Sequence, residues 1–552
     1  MTGTATVMAR AESTRTITAV AGPSLGSDPR RRRPVGRIGG VVGLSDDRAE
    51  RALATRLGPG ACLLRDSSDG DLPLVADWDA CHVKGAPVLD VAEWRSIVST
   101  RTLSSVEGAF AIAWLDPDGT LGLARDAIGE RTLYYAEVGK GVIFASTIHA
   151  LLATGLVARS IDFAGLAAYL SFAYVPGRET LIANIHEVLP GEIVELRAGT
   201  ITRSRLWNVP AEDDVARRAD EPHSVRLLRM RLEDAVQRRL PSGEPVGAFL
   251  SGGIDSSLVV ALARQLHDRP VLTYSVSFGA GYANELEWSS LVAEHCGTEH
   301  RIVELGPDVV LRHLDDAIGL LSEPIGDPLT VPNALLFREA SQDAGVVLNG
   351  EGGDPCFGGP KNLPMLLAEL LGDGRNAAHD DRYAREKSYL RAHQKCYDDL
   401  PSMLMSDVRA ALANEILESR LVEHLADGRW TSFVTRLMAL NVTFKGAHHI
   451  LPKVDALSAA FGVLARSPLF DRAVVEMAFA IPPELKLRGS VEKYVLKRAV
   501  ADLLPPAILD RPKSGMLVPV EAWFRGPFRA QARERLLDGL APYRVFDRGY
   551  LE

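Results

Sequence analysis

Leu250-Ser251-Gly252-Gly253-Ile254-Asp255-Ser256-Ser257 stands between an apolar run, Glu244 to Leu250, and a helix-period pattern that continues to Leu266. Those flanks predict a strand, a tight turn and a helix. Two glycines let backbone amides turn toward an anion, Ser251, Ser256 and Ser257 add hydroxyl donors, and the helix N-terminus adds its positive end. The stretch therefore has the composition of a phosphate cradle, although a plain strand-to-helix turn would carry the same glycines. It lacks the spacing and the lysine of the Walker loop. Asp255 would repel phosphate unless a divalent cation stood between them, so this one residue implies Mg²⁺ bridging carboxylate and phosphates.

Working outward, Val271 to Phe278 is a second apolar run at the spacing of a βαβ unit, which predicts a parallel sheet. Gly345 to Gly350 is a further strand, arriving after a helix around Pro332 to Gln342. It runs into Asn349-Gly350-Glu351-Gly352-Gly353-Asp354, where Asp354 offers a second carboxylate for Mg²⁺ and the glycines let the backbone approach a nucleotide. Two such loops at the carboxyl ends of parallel strands converge where these sheets bind ligands. Beyond Gly359 the pattern is mostly helical.

Upstream, Val225, Leu228, Leu232, Ala235 and Val236 mark one buried helix face, with Ser224 as the expected cap. Residues 208–224 are polar, charged and Pro-bounded, the composition of a linker. From Gly36 to Trp207 short strands alternate with turns. Gly108 to Leu115 and Thr120 to Asp126 form one hairpin around Asp116-Pro117-Asp118-Gly119; Leu133 to Val138 and Gly141 to Ser146 form another. The first hairpin is apolar on both faces, so it is expected between layers. The expected organisation is an extension over 1–35 without fixed structure, a layered sheet domain over 36–207, a linker over 208–224 and an ATP-dependent domain over 225–552. In the extension, Arg30 to Arg33 read as a solvated charge run rather than a basic anchor.

A chain of 552 residues with 46% hydrophobic residues suits two globular domains. The net charge of −9 and the pI of about 5.9 argue against a nucleic-acid partner. No segment has the length of apolar residues that a membrane span needs; Gly141 to Ala158, the nearest, changes from strand to helix period midway. Five scattered cysteines, Cys62, Cys81, Cys296, Cys356 and Cys396, show no metal spacing and read as reduced, mostly buried thiols of a cytoplasmic protein. His448 and His449 are adjacent, so on a helix they point about 100° apart and read as surface or packing residues, not metal ligands. His295 reads as a structural histidine.

Taken together the motifs resemble those of the asparagine synthetase family. Ser251 to Ser257 resembles its pyrophosphatase-type loop and Asn349 to Asp354 its second nucleotide loop. The likeness continues in order through Thr298-Glu299-His300, Ser322 to Pro328, Ala465 to Asp471, Ile481 to Gly489, Glu492 to Ala499 and Asp510 to Gly515. The resemblance implies an α/β fold: an N-terminal-nucleophile glutaminase-like α+β sandwich, then a parallel-sheet ATP-pyrophosphatase-like domain with a helical C-terminal part. It implies ATP with Mg²⁺, the metal held by Asp255 and Asp354, and the nucleotide by Leu250, Ser251, Gly252, Gly253, Asp255, Ser256, Leu348 and Gly350. Lys493 and Lys513 resemble the cationic partners of pyrophosphate, where fixed positive charge offsets the crowding of anions; either could instead be an ordinary surface lysine. Glu351 stands where asparagine synthetases have a glutamate and β-lactam-forming relatives a tyrosine. It is a candidate base for the attacking nitrogen, with a structural carboxylate holding the loop as the alternative.

The front half resembles the family's glutaminase domain through Val106 to Asp116, Leu123 to Tyr135, Phe144 to Leu152 and Val175 to Glu192. Working members begin with a cysteine whose thiol attacks glutamine; here Gly36 takes that place, behind residues 1–35. The family's Asn-Gly-Glu stretch is missing around Val75 to Leu89, and Cys62 and Cys81 cannot be terminal. Glutaminase activity is therefore expected to be lost, as in β-lactam synthetases and lasso-peptide cyclases. Pro355 and Leu464 also depart from the family, each standing where a glutamate is common, so the acid pocket is expected to differ from an aspartate site. The expectation is a carbon–nitrogen ligase joining a small-molecule or peptide carboxylate to an amine or ammonia, with a second copy of the chain as a candidate partner. Asparagine synthesis from ammonia and a catalytically silent binding partner are the alternatives.

Overall fold

The computed structural model describes residues 14–18, 37–44, 46–58, 60–64, 71–212, 220–359, 382–393, 395–426, 428–511 and 518–552. The front half is a four-layer sandwich. One sheet runs His186–Glu187, Tyr134–Val138, Gly141–Ala145, Ile38–Val42, Cys62–Leu64; the other runs Thr200–Arg205, Glu192–Arg197, Leu121–Arg125, Val106–Leu115, Leu74–Val83, Ala86–Pro87. Both expected hairpins form, and each belongs to a different sheet. Ile38, Ala111, Leu123, Tyr135, Phe144 and Val194 fill the space between the sheets. The helix Val91–Ser99 covers the outer face of the larger sheet, seating Trp94 on Phe110 and Ile112. That cover explains why Val106–Leu115 is apolar on both faces.

The back half is built on a six-stranded sheet ordered Thr14–Thr18, Glu299–Glu304, Val271–Ser277, Val246–Phe249, Val346–Leu348, Leu464–Arg466, parallel throughout. Helices cover both faces, one around Leu228, Leu258 and Val292, the other around Leu335, Phe337 and Leu457. Among the described residues no helix is long and apolar enough to cross a membrane.

Three expectations change. Thr14–Thr18, placed in an extension without fixed structure, is a strand pairing in parallel with Glu299–Glu304; Thr-Arg-Thr-Ile-Thr is rich in β-branched residues, and a sheet edge offers free backbone partners. The helix read as starting after Ser224 is Glu221–Arg239, capped by Asp220, whose side chain accepts the His223 amide at 2.8 Å. Asp220 followed by an acidic residue and a proline in the first turn outcompetes Ser224, which is buried inside the helix; residues 213–219 of the expected linker lie outside the described residues. Finally, the cysteines are all free, but only Cys81 and Cys356 are buried and Cys62 is exposed.

The halves meet through charge. Arg37 donates to Asp455 at 2.9 Å, and Arg131 lies 3.3 Å from both Asp455 and Asp77. Arg466 forks onto Asp79, and Arg239 reaches Glu130 at 3.2 Å. His448 and His449 sit in the π-helical stretch Asn441–Ile450 and belong to this joint. His448 Nδ1 lies 2.9 Å from Glu187, while His449 stacks on Tyr174 and lies 3.3 Å from Asp327. Burial holds His449 down to about 4, so the ring is neutral at pH 7. Both are packing residues, and among the described residues no group of metal-ligating side chains surrounds them.

Candidate active site

The first loop leaves the sheet at Phe249 and enters the helix Ile254–Leu266. Gly252 turns it with φ +73°, and a Cβ there would come within 2.5 Å of Trp288. Ser251 and Ser256 order the turn. The Ser251 amide donates to Ser256 Oγ at 3.1 Å, the Gly253 amide donates to Ser251 Oγ at 3.3 Å, and Ser256 Oγ donates to the Gly253 carbonyl at 3.2 Å. These donors satisfy one another and stand ready to exchange for an anion. Ser257 differs from its expected role: it is fully enclosed in the core.

The second loop follows the buried strand Val346–Leu348. A Cβ at Gly350 would lie 2.5 Å from the Ser256 amide, and one at Gly353 would collide with the Asp255 carboxylate. These two glycines are therefore required by the approach of one loop to the other, a reason the sequence did not disclose. Lys493 completes the cluster. Its Nζ lies 2.5 Å from Asp255 Oδ2 and 2.5 Å from Asp354 Oδ1, and its side chain is 2% exposed. Its backbone has φ +53°, a left-handed conformation that costs a lysine free energy and that the surrounding structure must hold. Two carboxylates gathered from separate loops onto one point fit Mg²⁺, which takes oxygen ligands from one or two carboxylates and completes its shell with phosphate and water.

A pocket opens on each side of the first loop. One is walled by Leu250, Ser251, Ser275, Val276, Phe278 and Leu286; the Ser275 hydroxyl donates to the Leu250 carbonyl and holds that wall in place. The other, about 590 Å³, is lined by Gly253, Lys493, Lys497, Arg498 and Arg511. The first is a small recess of about 70 Å³ that Asn284, Glu285 and Arg511 also line, and the second sets four cations against Glu492 and Asp510, an excess of positive charge beside a glycine turn that suits phosphate. Arg511 borders both: Nη1 donates to the Gly252 carbonyl at 3.1 Å, Nη2 pairs with Glu285 at 2.5 Å, and the guanidinium lies 4.9 Å from the Trp288 ring centre. Arg511 falls within the motif Asp510 to Gly515, where residue type alone gives it no role. The signal was its place beside Lys513, which lies outside the described residues.

Glu351 is half-buried, with its amide donating to Asn349 Oδ1 at 3.0 Å. Leu348 and Leu250 are buried, and Leu464 opens the strand beside Val346, partly buried against the core. His300 is fully buried, its Nδ1 2.9 Å from the Thr273 hydroxyl, and burial lowers it to about 4. Thr298-Glu299-His300 therefore supports the sheet rather than the cleft.

The position that would hold the glutaminase nucleophile, Gly36, lies outside the described residues. Arg37, Asp77, Asp79, Arg131 and Asp455 are all buried and joined as above. Burial raises Asp77 to about 6 despite Arg131 beside it; burial also opposes charge on Asp79, but Arg466 more than offsets it and holds that carboxyl low.

A family model described as asparagine synthase matches residues 227–552, and one described as a glutamine amidotransferase domain matches residues 92–207. Glutamine-hydrolysing asparagine synthetase 1 of Bacillus subtilis is 28% identical over 468 residues, covering 78% of this chain and 71% of that one. Asparagine synthetase 3 of the same organism is 28% identical over 435 residues, covering 74% and 67%. A protein named amidase chry2, from Gibberella zeae, is 24% identical over 495 residues, covering 78% and 72%.

Proposed function

This chain belongs to the asparagine synthase family of ATP-dependent, AMP-forming carbon–nitrogen ligases, and from that premise we propose that it adenylates a small-molecule or peptide carboxylate and transfers the acyl group to an amine in specialised metabolism. The observation that carries the chemistry is the meeting of Asp255 and Asp354 on Lys493, between an apolar pocket and a cationic one. Leu250, Val276 and Phe278 hold the nucleoside. The amides of Gly252 and Gly253, the hydroxyls of Ser251 and Ser256 and the helix N-terminus receive the phosphates. Asp255 and Asp354 would hold Mg²⁺, which when bound offsets the charge of the triphosphate.

The acid's carboxylate oxygen attacks the α-phosphorus and the bond to pyrophosphate breaks. Lys493, Arg511 and Lys513 stabilise the departing charge. The amine nitrogen then attacks the acyl carbon, Glu351 takes its proton, and AMP leaves with the carboxylate's former oxygen.

The front half is not a glutaminase in this proposal. Gly36 offers no thiol, and Arg37, Arg131 and Asp79 are committed to Asp455 and Arg466 of the other half. The acid differs from aspartate because Leu464 and Pro355 stand where glutamates are common, and kinship with a protein named an amidase supports divergence within the family. Asparagine synthesis from ammonia is the second reading, supported by Glu351 and by the Bacillus relatives. Intact Asp255, Asp354 and Lys493 argue against a silent binding partner.

Incubation with ATP, Mg²⁺ and a panel of acids tests the reaction: AMP and pyrophosphate are expected, with labelled carboxylate oxygen appearing in AMP. ADP as product, or no label transfer, overturns it. Aspartate with ammonia as the best pair in an acid-by-amine screen selects the second reading; product formation from glutamine overturns the loss of glutaminase.

A further inference from the structure

The strand Leu464–Arg466 is where the halves exchange charge beside the second loop. Arg466 Nε and Nη2 each donate to an oxygen of Asp79 at 2.7 Å, and Nη1 donates to the Arg239 carbonyl at 2.5 Å. The Arg466 carbonyl accepts the Asn349 amide at 3.1 Å. The next residue, Ser467, donates its hydroxyl to Asn349 Oδ1 at 2.9 Å, and the same oxygen accepts the Glu351 amide at 3.0 Å. An unbroken set of contacts runs from a front-half carboxylate to the backbone of Glu351.

We propose that the front half, in place of supplying ammonia, braces the synthetase site, with Asp79 as the positioning residue that holds Arg466 and through it the second loop and Glu351. The proposal rests on the reading of Asn349 to Asp354 as part of the reacting site, and gives the front half a role in it. Leu464–Arg466 is short and ends the sheet, paired on one side to Val346–Leu348. A strand held by so few ladder bonds depends on its side-chain anchors for the position of its end. Among the described residues Asp79 is the one carboxylate on Arg466, and a two-pronged arginine–carboxylate pair fixes orientation as well as distance. Without Asp79 an enclosed guanidinium loses its counter-charge and turns toward water, drawing the Arg466–Ser467 backbone away from Asn349. The contact is charged at neutral pH, because Arg466 holds the Asp79 carboxyl below its usual range against the opposing effect of burial.

Amide hydrogen exchange over residues 345–353 is followed in the full chain at pH 7 for the wild type, Asp79→Asn and Asp77→Asn, together with amide formation at saturating ATP. Asp79→Asn is expected to speed exchange at Asn349 and Glu351 and to slow amide formation, each by about tenfold, with the KM for ATP held within about twofold. Asp77→Asn, which alters a front-half carboxylate on Arg131 instead, leaves all three at wild-type values. Arg466→Lys keeps the charge and loses the fork, and gives the same pattern as Asp79→Asn should that variant not fold. Unchanged exchange in the folded variants overturns the brace, and so does faster exchange with unchanged turnover. If the wild type releases no pyrophosphate with any acid, the proposed function fails and exchange alone decides the brace.

Discussion

Two clusters of opposite charge lie near one another in this molecule and are finished in different ways. At the ends of Val246–Phe249 and Val346–Leu348, Asp255 and Asp354 share Lys493 beside two open pockets, in a space kept clear by glycines. At the joint, Asp77, Asp79 and Asp455 face Arg37, Arg131 and Arg466, all enclosed or nearly so, each charge answered from within the protein. The first keeps room and donors beside its charges; the second answers its charges with one another and serves as a seam. Buried pairs of this kind add little net stability but cost much when one partner is removed, except at Asp77, where burial outweighs Arg131 and favours the neutral carboxyl, so the clusters respond differently to substitution.

The largest effect is expected at the first cluster. Asp255→Ala should lower pyrophosphate release by about a thousandfold in protein that still folds, as a single cooperative melting transition shows; Lys513→Ala should lower it likewise, and near-normal rates in either would remove that residue from the site. Lys493→Met leaves Asp255 and Asp354 without the ammonium they share. It should destabilise the Mg²⁺-free protein by about 3–5 kcal/mol, and Mg²⁺ should restore part of the melting temperature; no effect of Mg²⁺ would count against the two carboxylates as its ligands.

At the seam the effect is smaller and depends on pH. Asp77 titrates at about 6 in the folded chain against an ordinary 3.8, so the folded state favours its proton. The resulting stability is present below about pH 4 and lost as the pH rises through about 6. Asp77→Asn avoids that loss, so its melting temperature should rise relative to the wild type across this window, by the equivalent of about 2–3 kcal/mol at most. A difference that stays constant with pH would show Asp77 to be ordinary. The smallest effect is expected from Gly36→Cys: glutamate release from glutamine should stay at background, because Arg37 beside it is committed to Asp455. A measurable glutaminase rate would erase the contrast between the clusters.

The nucleotide loops were legible because their causes are local. Glycines that turn the chain, serines that cap the turn and an apolar strand before them all fall within a few residues, and the two hairpins declare themselves through their turn residues in the same way. The buried face of Glu221–Arg239 was legible from its spacing, but its start was not. Asp220 with Glu221 and Pro222 lies inside a charged stretch that reads as linker throughout, and burial of Ser224 depends on what packs against it. The strand at Thr14–Thr18 was missed because its pairing is with Glu299–Glu304, far away in the chain.

By itself the sequence determined the strand, turn and helix from Val246 to Leu266, the two hairpins and the presence of glycine at position 36, since each depends on residue identity and short-range backbone geometry. Only the tertiary structure decided that Gly350 and Gly353 make room for the first loop, that Arg511 borders both pockets and that Asp79 meets Arg466. Those pairings join residues from about ninety to nearly four hundred positions apart, and their geometry exists only once sheet register and, for Asp79 and Arg466, the docking of the halves have brought the atoms within a few ångströms.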